Sequence, residues 1–135
     1  MSKKLFVNLP VKDLERSMAF YEALGFSFNP QFTDHTAACM VISEHNYAML
    51  LTHEKFASFA TKPIPDAHTT TGVLIAIALE SKAEVDDMAA KAIEAGGKEP
   101  TPKKDFGFMV QRTIEDPDGH TWEPFWMDPG HAQQG

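Results

Sequence analysis

The chain has 135 residues, 43% of them hydrophobic and 23% charged, with a formal net charge of −7. That length suits one domain able to bury about 65–70% of its unfolded surface, and the acidic balance excludes non-specific attraction to nucleic acid or anionic membrane. The single cysteine, Cys39, has no internal disulfide partner, which points to a reducing compartment. The opening segment lacks the apolar run of a signal peptide and no stretch of about 20 apolar residues occurs. The expectation is a cytoplasmic protein without a nucleic-acid or membrane partner.

Lys4 to Val11 reads as a strand. Asp13 offers a side-chain oxygen as N-cap to a helix over Leu14 to Leu24, with Leu14, Met18, Tyr21 and Leu24 near helical spacing and Gly25 as the stop. Phe26 to Phe32 predicts a strand weakened by Pro30. Ala37 to Ser43 and Tyr47 to Thr52 pair as a hairpin around Glu44-His45-Asn46. His53 to Ala60 reads as a short helix or an irregular segment. Thr61 to Thr71, with Pro63, Pro65 and a threonine cluster, reads as a linker.

The pattern then restarts. Gly72 to Glu80 predicts a strand, and Ser81 with Glu84 three residues on makes a capping box. Val85, Met88, Ala89, Ala92 and Ile93 form the apolar face of the helix that follows, and Gly96-Gly97 ends it. Lys98 to Thr101 is a candidate short strand, and Met127 to Gly135 a loose tail. Laying Val11 on Leu79 and Asp13 on Ser81 aligns strand and helix start of both halves, the second helix being about one turn longer. The expectation is α+β: a single domain, 1-135, of two βαβββ units at about 4–60 and 72–127 joined by 61–71. One such unit cannot close its own sheet, so two must pack, within the chain or between chains.

Between the apolar runs Phe106–Ile114 and Thr121–Met127 stands Asp116-Pro117-Asp118-Gly119, a tight-turn signal in which Gly119 takes the positive φ. The second strand of this hairpin alternates, sending His120, Trp122, Pro124 and Trp126 one way and Thr121, Glu123 and Phe125 the other. A carboxylate within an aromatic strand is costly unless paired, exposed or bound. Glu123 reads either as a pocket base or anionic contact, or as the partner of Arg112 across the hairpin.

Val11-Lys12-Asp13-Leu14-Glu15-Arg16-Ser17, with Phe20-Tyr21 and Leu24-Gly25-Phe26, resembles the opening of the vicinal oxygen chelate superfamily, which includes glyoxalase I, bleomycin-resistance proteins and extradiol dioxygenases. Glu115 to Glu123 resembles its closing signature. The resemblance implies a half-barrel cup, a homodimer and, in the enzymes, one divalent metal held by His or Glu from the first and last strands of each unit. Carried over, those positions fall on Phe6, near Leu50, on Leu74 and on Glu123. Only Glu123 is a metal donor, and one carboxylate does not make a site.

His53, three residues past Leu50, is an outside candidate for a metal ligand. His35, His45, His68 and His131 fall in turns, linker or tail, and no paired histidine spacing occurs. Asn8 shares a strand face with Phe6, where its amide reads as a ligand contact or a backbone partner. Phe6, Leu50, Leu74, Ala76 and Phe125 would make the cup apolar. Cys39 reads as a small buried hydrophobe. No serine has a nucleophile-elbow context and no phosphate loop is present.

These residues predict a glyoxalase/bleomycin-resistance-like protein that binds a small apolar or aromatic ligand without a cofactor, in the pocket Phe6, Asn8, Leu50, Leu74, Ala76 and Phe125. The alternative is a metal-dependent lyase or dioxygenase acting on vicinal oxygens. A metal-free enzyme using Glu123 as acid or base is the third reading, so whether the chain is an enzyme stays open at this point.

Overall fold

The computed structural model describes residues 3–132, the last two by their backbone alone. The chain divides into two compact units, Met1–Asp66 and Ala67–Gly135, and the division falls within the 61–71 stretch.

Unit 1 runs β1 (Leu5–Val11), α1 (Leu14–Ala23), β2 (Ser27–Asn29), β3 (Ala37–Val41), β4 (Asn46–Thr52) and α2 (His53–Phe59). Unit 2 runs β5 (Leu74–Ala78), α3 (Lys82–Glu94), β6 (Lys104–Asp105), β7 (Met109–Gln111), β8 (Ile114–Glu115), β9 (Thr121–Met127) and the short α4 (Pro129–Ala132). The sheet orders are β1-β4-β3-β2 and β5-β9-β7-β6, with β8 also on β9. In each, the first strand lies parallel to the last and the remaining pairs are antiparallel. The fold class is α+β, two βαβββ units of one topology.

Both long helices start where their caps direct. The Asp13 carboxylate accepts from Arg16 N–H at 3.1 Å and the Ser81 hydroxyl from Glu84 N–H at 3.2 Å, satisfying first-turn donors that lack helical partners. The reciprocal arm of the capping box reaches one residue further back, with Glu84 accepting from Glu80 N–H at 3.3 Å. α1 buries Leu14, Ser17, Phe20 and Tyr21, so Ser17 and Phe20 replace the expected Met18 in the inward stripe. α3 buries Val85, Met88, Ala89 and Ala92, while Ile93 stays 50% exposed.

Several boundaries shift for local reasons. Pro30 ends β2 at Asn29 and opens a 3-10 turn over Pro30–Phe32. Lys98 makes only an isolated bridge to Glu115, and the strand before β7 is Lys104–Asp105. The expected Phe106–Ile114 strand is interrupted, yet β7 and β8 keep one register on β9: Gln111 faces Phe125 and Ile114 faces Trp122. The gap lies opposite Pro124, which accepts from Arg112 N–H at 3.0 Å but has no N–H to return. The expected loose tail contains α4; residues 133–135 lie outside the described residues.

The unit 1 core is Val11, Phe20, Ala38, Met40, Ala48 and Leu50, each at most 2% exposed; that of unit 2 is Val85, Ala89, Ala92, Val110, Ile114 and Trp122. Each large apolar side chain there contributes about 1.5–3 kcal/mol.

Candidate functional site

In unit 1, strand register decides which side chains share a face. Phe6, Asn8 and Pro10 pair with Tyr47, Met49 and Leu51, whereas Leu9 pairs with Leu50 and Leu50 with Ala38. Directly paired residues lie on the same side of a sheet, and neighbours along a strand alternate. Leu50 is therefore on the core face with Leu9 and Ala38, at 0% exposure, and not beside Phe6 and Asn8. Leu51, its neighbour along the strand, lies on the other face. A one-residue displacement along a strand turns a side chain from one face to the other.

The Phe6–Asn8 face is partly covered by α2. Thr52 caps this helix by accepting from Lys55 N–H at 3.2 Å. Phe56, Phe59 and Ala60 follow at spacings that place them on one side. Together with Asn8 and Leu51 they line a pocket of about 320 Å³ open to solvent. Sequence reasoning leaves this segment between helix and irregular chain and names none of its apolar residues. The i, i+3, i+4 pattern of Phe56, Phe59 and Ala60 is the signal that could have found them. Asn8 is exposed, and its amide has no hydrogen-bond partner among the described residues. Lys55 holds its ammonium 5.4 Å from the centre of the Phe59 ring. Phe6, 46% exposed, stacks on Tyr47 at 4.7 Å and 11° between ring planes, and does not line the pocket.

In unit 2, Leu74 pairs with Thr121, Ala76 with Glu123 and Ala78 with Phe125, so Leu74, Ala76, Glu123 and Phe125 share one face. Leu74 is 55% exposed and Ala76 is exposed; Glu123 and Phe125 are half-buried. The β7–β8 register sets Thr113 opposite Glu123 and Arg112 opposite Pro124. Arg112 thus points to the other face. It grips Glu99 with two bonds, Nε to Oε2 at 2.6 Å and Nη2 to Oε1 at 2.8 Å, and reaches Asp86 Oδ1 at 2.9 Å. The Glu123–Arg112 pair, one of the two readings of Glu123, does not form, and Glu123 has no ion-pair or hydrogen-bond partner among the described residues. Hydrogen bonding to Arg112 holds the Glu99 carboxyl below its ordinary value, and Lys103 and then Arg112 do the same for Asp86.

The turn that launches β9 is built by Asp116, which is 3% exposed. Its Oδ1 accepts from Asp118 N–H at 3.0 Å and His120 N–H at 2.8 Å, and its carbonyl accepts from Gly119 N–H at 2.9 Å. Gly119 has φ +90°.

The residue offset that carries the N-cap Asp13 onto Ser81 also carries Phe6 onto Leu74 and Asn8 onto Ala76. Since Asn8 pairs with Met49 and Ala76 with Glu123, the unit 1 counterpart of Glu123 is Met49. The four equivalent positions therefore hold Phe6, Met49, Leu74 and Glu123, one hard oxygen donor in all. His53 is exposed in the first turn of α2. Among the described residues no three His, Cys, Asp or Glu side chains come together where they could hold a metal ion. This donor set does not fit a divalent cation, which needs several oxygen or nitrogen ligands. Cys39 is buried, and burial pushes its thiol pKa up, as for a core residue. The side chain of His131 lies outside the described residues. Among the described residues no helix is long and apolar enough to cross a membrane.

Residues 3–43 match the family model of the bleomycin resistance protein-like N-terminal region. No curated protein matches the chain. Among solved structures, a hypothetical protein of S. aureus is similar at 27% identity and TM-score 0.78, over 93% of this chain and 95% of that one. A glyoxalase/bleomycin resistance protein/dioxygenase family enzyme from Burkholderia phytofirmans PsJN is similar at 17% identity and TM-score 0.76, over 93% and 99%. A glyoxalase-related enzyme from Fulvimarina pelagi is similar at 20% identity and TM-score 0.77, over 93% and 88%. The repeated βαβββ topology and these neighbours show that the chain has the fold of glyoxalase/bleomycin resistance proteins, and its opening residues are similar to the N-terminal region of the bleomycin resistance protein-like family.

Proposed function

We propose that this chain is a metal-independent, cytoplasmic small-molecule binding protein that takes a small apolar or aromatic ligand in the pocket under α2 and works as a homodimer. The observation that carries this reading is the donor set: Phe6, Met49 and Leu74 stand at three of the four positions where metal donors would be needed. The pocket itself supports it, with Leu51, Phe56, Phe59 and Ala60 as apolar walls and the Asn8 amide as the one polar group lining it. An apolar pocket with a convergent polar group is the usual form of a small-ligand site. Binding by burial needs no reacting group, and the described lining of this pocket supplies walls without a nucleophile.

One observation favours a second reading, a metal-dependent lyase or dioxygenase. Glu123 keeps a carboxylate without a partner among the described residues on its face of unit 2, where a structural role would have paired it. Elemental analysis of protein purified without chelator, followed by titration with Zn²⁺, Ni²⁺ and Mn²⁺, separates the two. The binding reading expects no stoichiometric metal and no turnover of a glutathione hemithioacetal. About one metal per chain, lost in Glu123→Ala, would overturn it in favour of the enzyme. Light scattering tests the dimer, and a monomer at micromolar concentration would refute that part alone.

A further inference from the structure

We infer that the ligand of the unit 1 pocket is a small aromatic monoanion of the aryl carboxylate class, its ring against Phe56 and Phe59 and its charge met by Lys55. The inference rests on the binding reading above and names the class of ligand.

Three features of the pocket converge on that chemistry. Its volume, about 320 Å³, is at the low end of ligand sites, which run from roughly 300 to 1,000 Å³, so the ligand is small. Phe56 and Phe59 present two aromatic rings from adjacent positions on α2, the surface that an aromatic ring packs on with an added preference over its area alone. The Asn8 carboxamide lines the pocket and can donate two hydrogen bonds, and the Lys55 ammonium, outside the lining, stands 5.4 Å from the centre of the lining Phe59 ring. No carboxylate lines the pocket.

The charge of Lys55 meets an aromatic ring and no carboxylate among the described residues. Two lysines elsewhere do reach carboxylates, Lys91 at 2.9 Å from Asp87 and Lys103 at 2.9 Å from Asp86, while Lys4 and Lys82 stand over aromatic rings. Lys55 has no carboxylate within ion-pair distance among the described residues, and its ammonium sits over a pocket-lining ring instead. One ammonium and one amide suit a single negative charge. They lack the forked donors of arginine and the multiple cations that a phosphate or a dianion would call for. Ligand carboxylate on Lys55, with a second hydrogen bond from Asn8, places the ring over Phe56 and Phe59 and excludes water from its apolar edge.

The test compares benzoate with benzamide, matched in shape and differing in charge, by ligand-observed NMR titration on the full-length chain. At low salt benzoate should bind tighter by about 1.4- to 5-fold, the range for a partly exposed ion pair, and the preference should shrink as salt is raised. Lys55→Met keeps the stem and removes the charge, so it should bind both probes alike. Phe59→Ala should weaken both. Circular dichroism confirms that each variant is folded. Equal affinity of benzoate and benzamide for the natural chain would overturn the anionic class and leave the binding reading standing. A benzoate preference that persists in Lys55→Met would overturn the role of Lys55. Failure of every aromatic probe to bind, with Phe59→Ala indistinguishable from the natural chain, would overturn the pocket reading and this inference together.

Discussion

Gly119→Ala tests the turn that sets β9, and through it the placement of Glu123. Two costs add at this position. An L-residue with a side chain at φ +90° is in the left-handed region, which costs about 1–2 kcal/mol. The new Cβ would also lie 2.8 Å from three backbone atoms, Ala67 C and O and His68 N. Backbone has no rotamer to move to, so the segment at 67–68 or the turn must shift, adding about 1–3 kcal/mol in the range of overpacked sites. The sum is roughly 2–5 kcal/mol, and for a chain of this size the melting temperature should fall by about 7–18 °C. Gly25→Ala is the control, because Gly25 has φ +103° and no atom stands within 4 Å of where its Cβ would lie, leaving only the conformational cost. Urea unfolding of both variants gives the difference directly. Expected is a loss at Gly119 at least about 1 kcal/mol greater than at Gly25. Equal losses would show that the 67–68 backbone yields freely and would refute the close-approach argument.

Arg112→Leu should cost about 1–3 kcal/mol at pH 7, since it leaves Glu99, 15% exposed in its side chain, without its two-bond partner. Asp86 adds less, because its side chain is 44% exposed and keeps Lys103. Both carboxyls have lowered folded pKa values, so the contribution is complete above their unfolded values of about 4 and is lost as pH falls through the folded ones. The gap between natural chain and variant in urea should therefore narrow on acidification from pH 5, and a gap that is constant with pH would refute the linkage. Leu50→Ala should destabilise by about 2–5 kcal/mol and Leu74→Ala by less than about 0.5 kcal/mol, because Leu50 is fully buried and Leu74 is 55% exposed. Similar losses in thermal unfolding would contradict the assigned faces.

The repeat was legible because it rests on local chemistry. Asp13 and Ser81 cap their helices through side-chain oxygens within three residues, and Gly25 and Gly119 take positive φ as the turns require. The site was legible only in part, because a pocket depends on which face each strand residue takes. Phe6 and Asn8 fall on a common face by alternation within one strand. Leu50 is misplaced by sequence reasoning because its face follows from register against β1 and β3, a long-range property that a single strand does not encode. The expected Arg112–Glu123 pair fails for the same reason. The true partners of Arg112, Glu99 and Asp86, lie 13 and 26 residues away in sequence, beyond any local pattern.

The equivalence of Met49 and Glu123 bears on how such a fold can carry or lose a metal. Taken unit by unit, the corresponding first-strand and last-strand positions are Phe6 and Met49 in unit 1 and Leu74 and Glu123 in unit 2. Here Phe6 and Leu74 remove both first-strand donors, and Met49 offers unit 1 only a thioether, too soft for the cations that carboxylates bind. Restoring one donor would leave two at most. A donor at Phe6, Met49 and Leu74 together would give each unit a donor at both of its ladder positions. That is three substitutions, two of them at exposed positions whose exchange costs little stability. Within each unit the ladder is the same, and what differs between Met49 and Glu123 is the side chain alone.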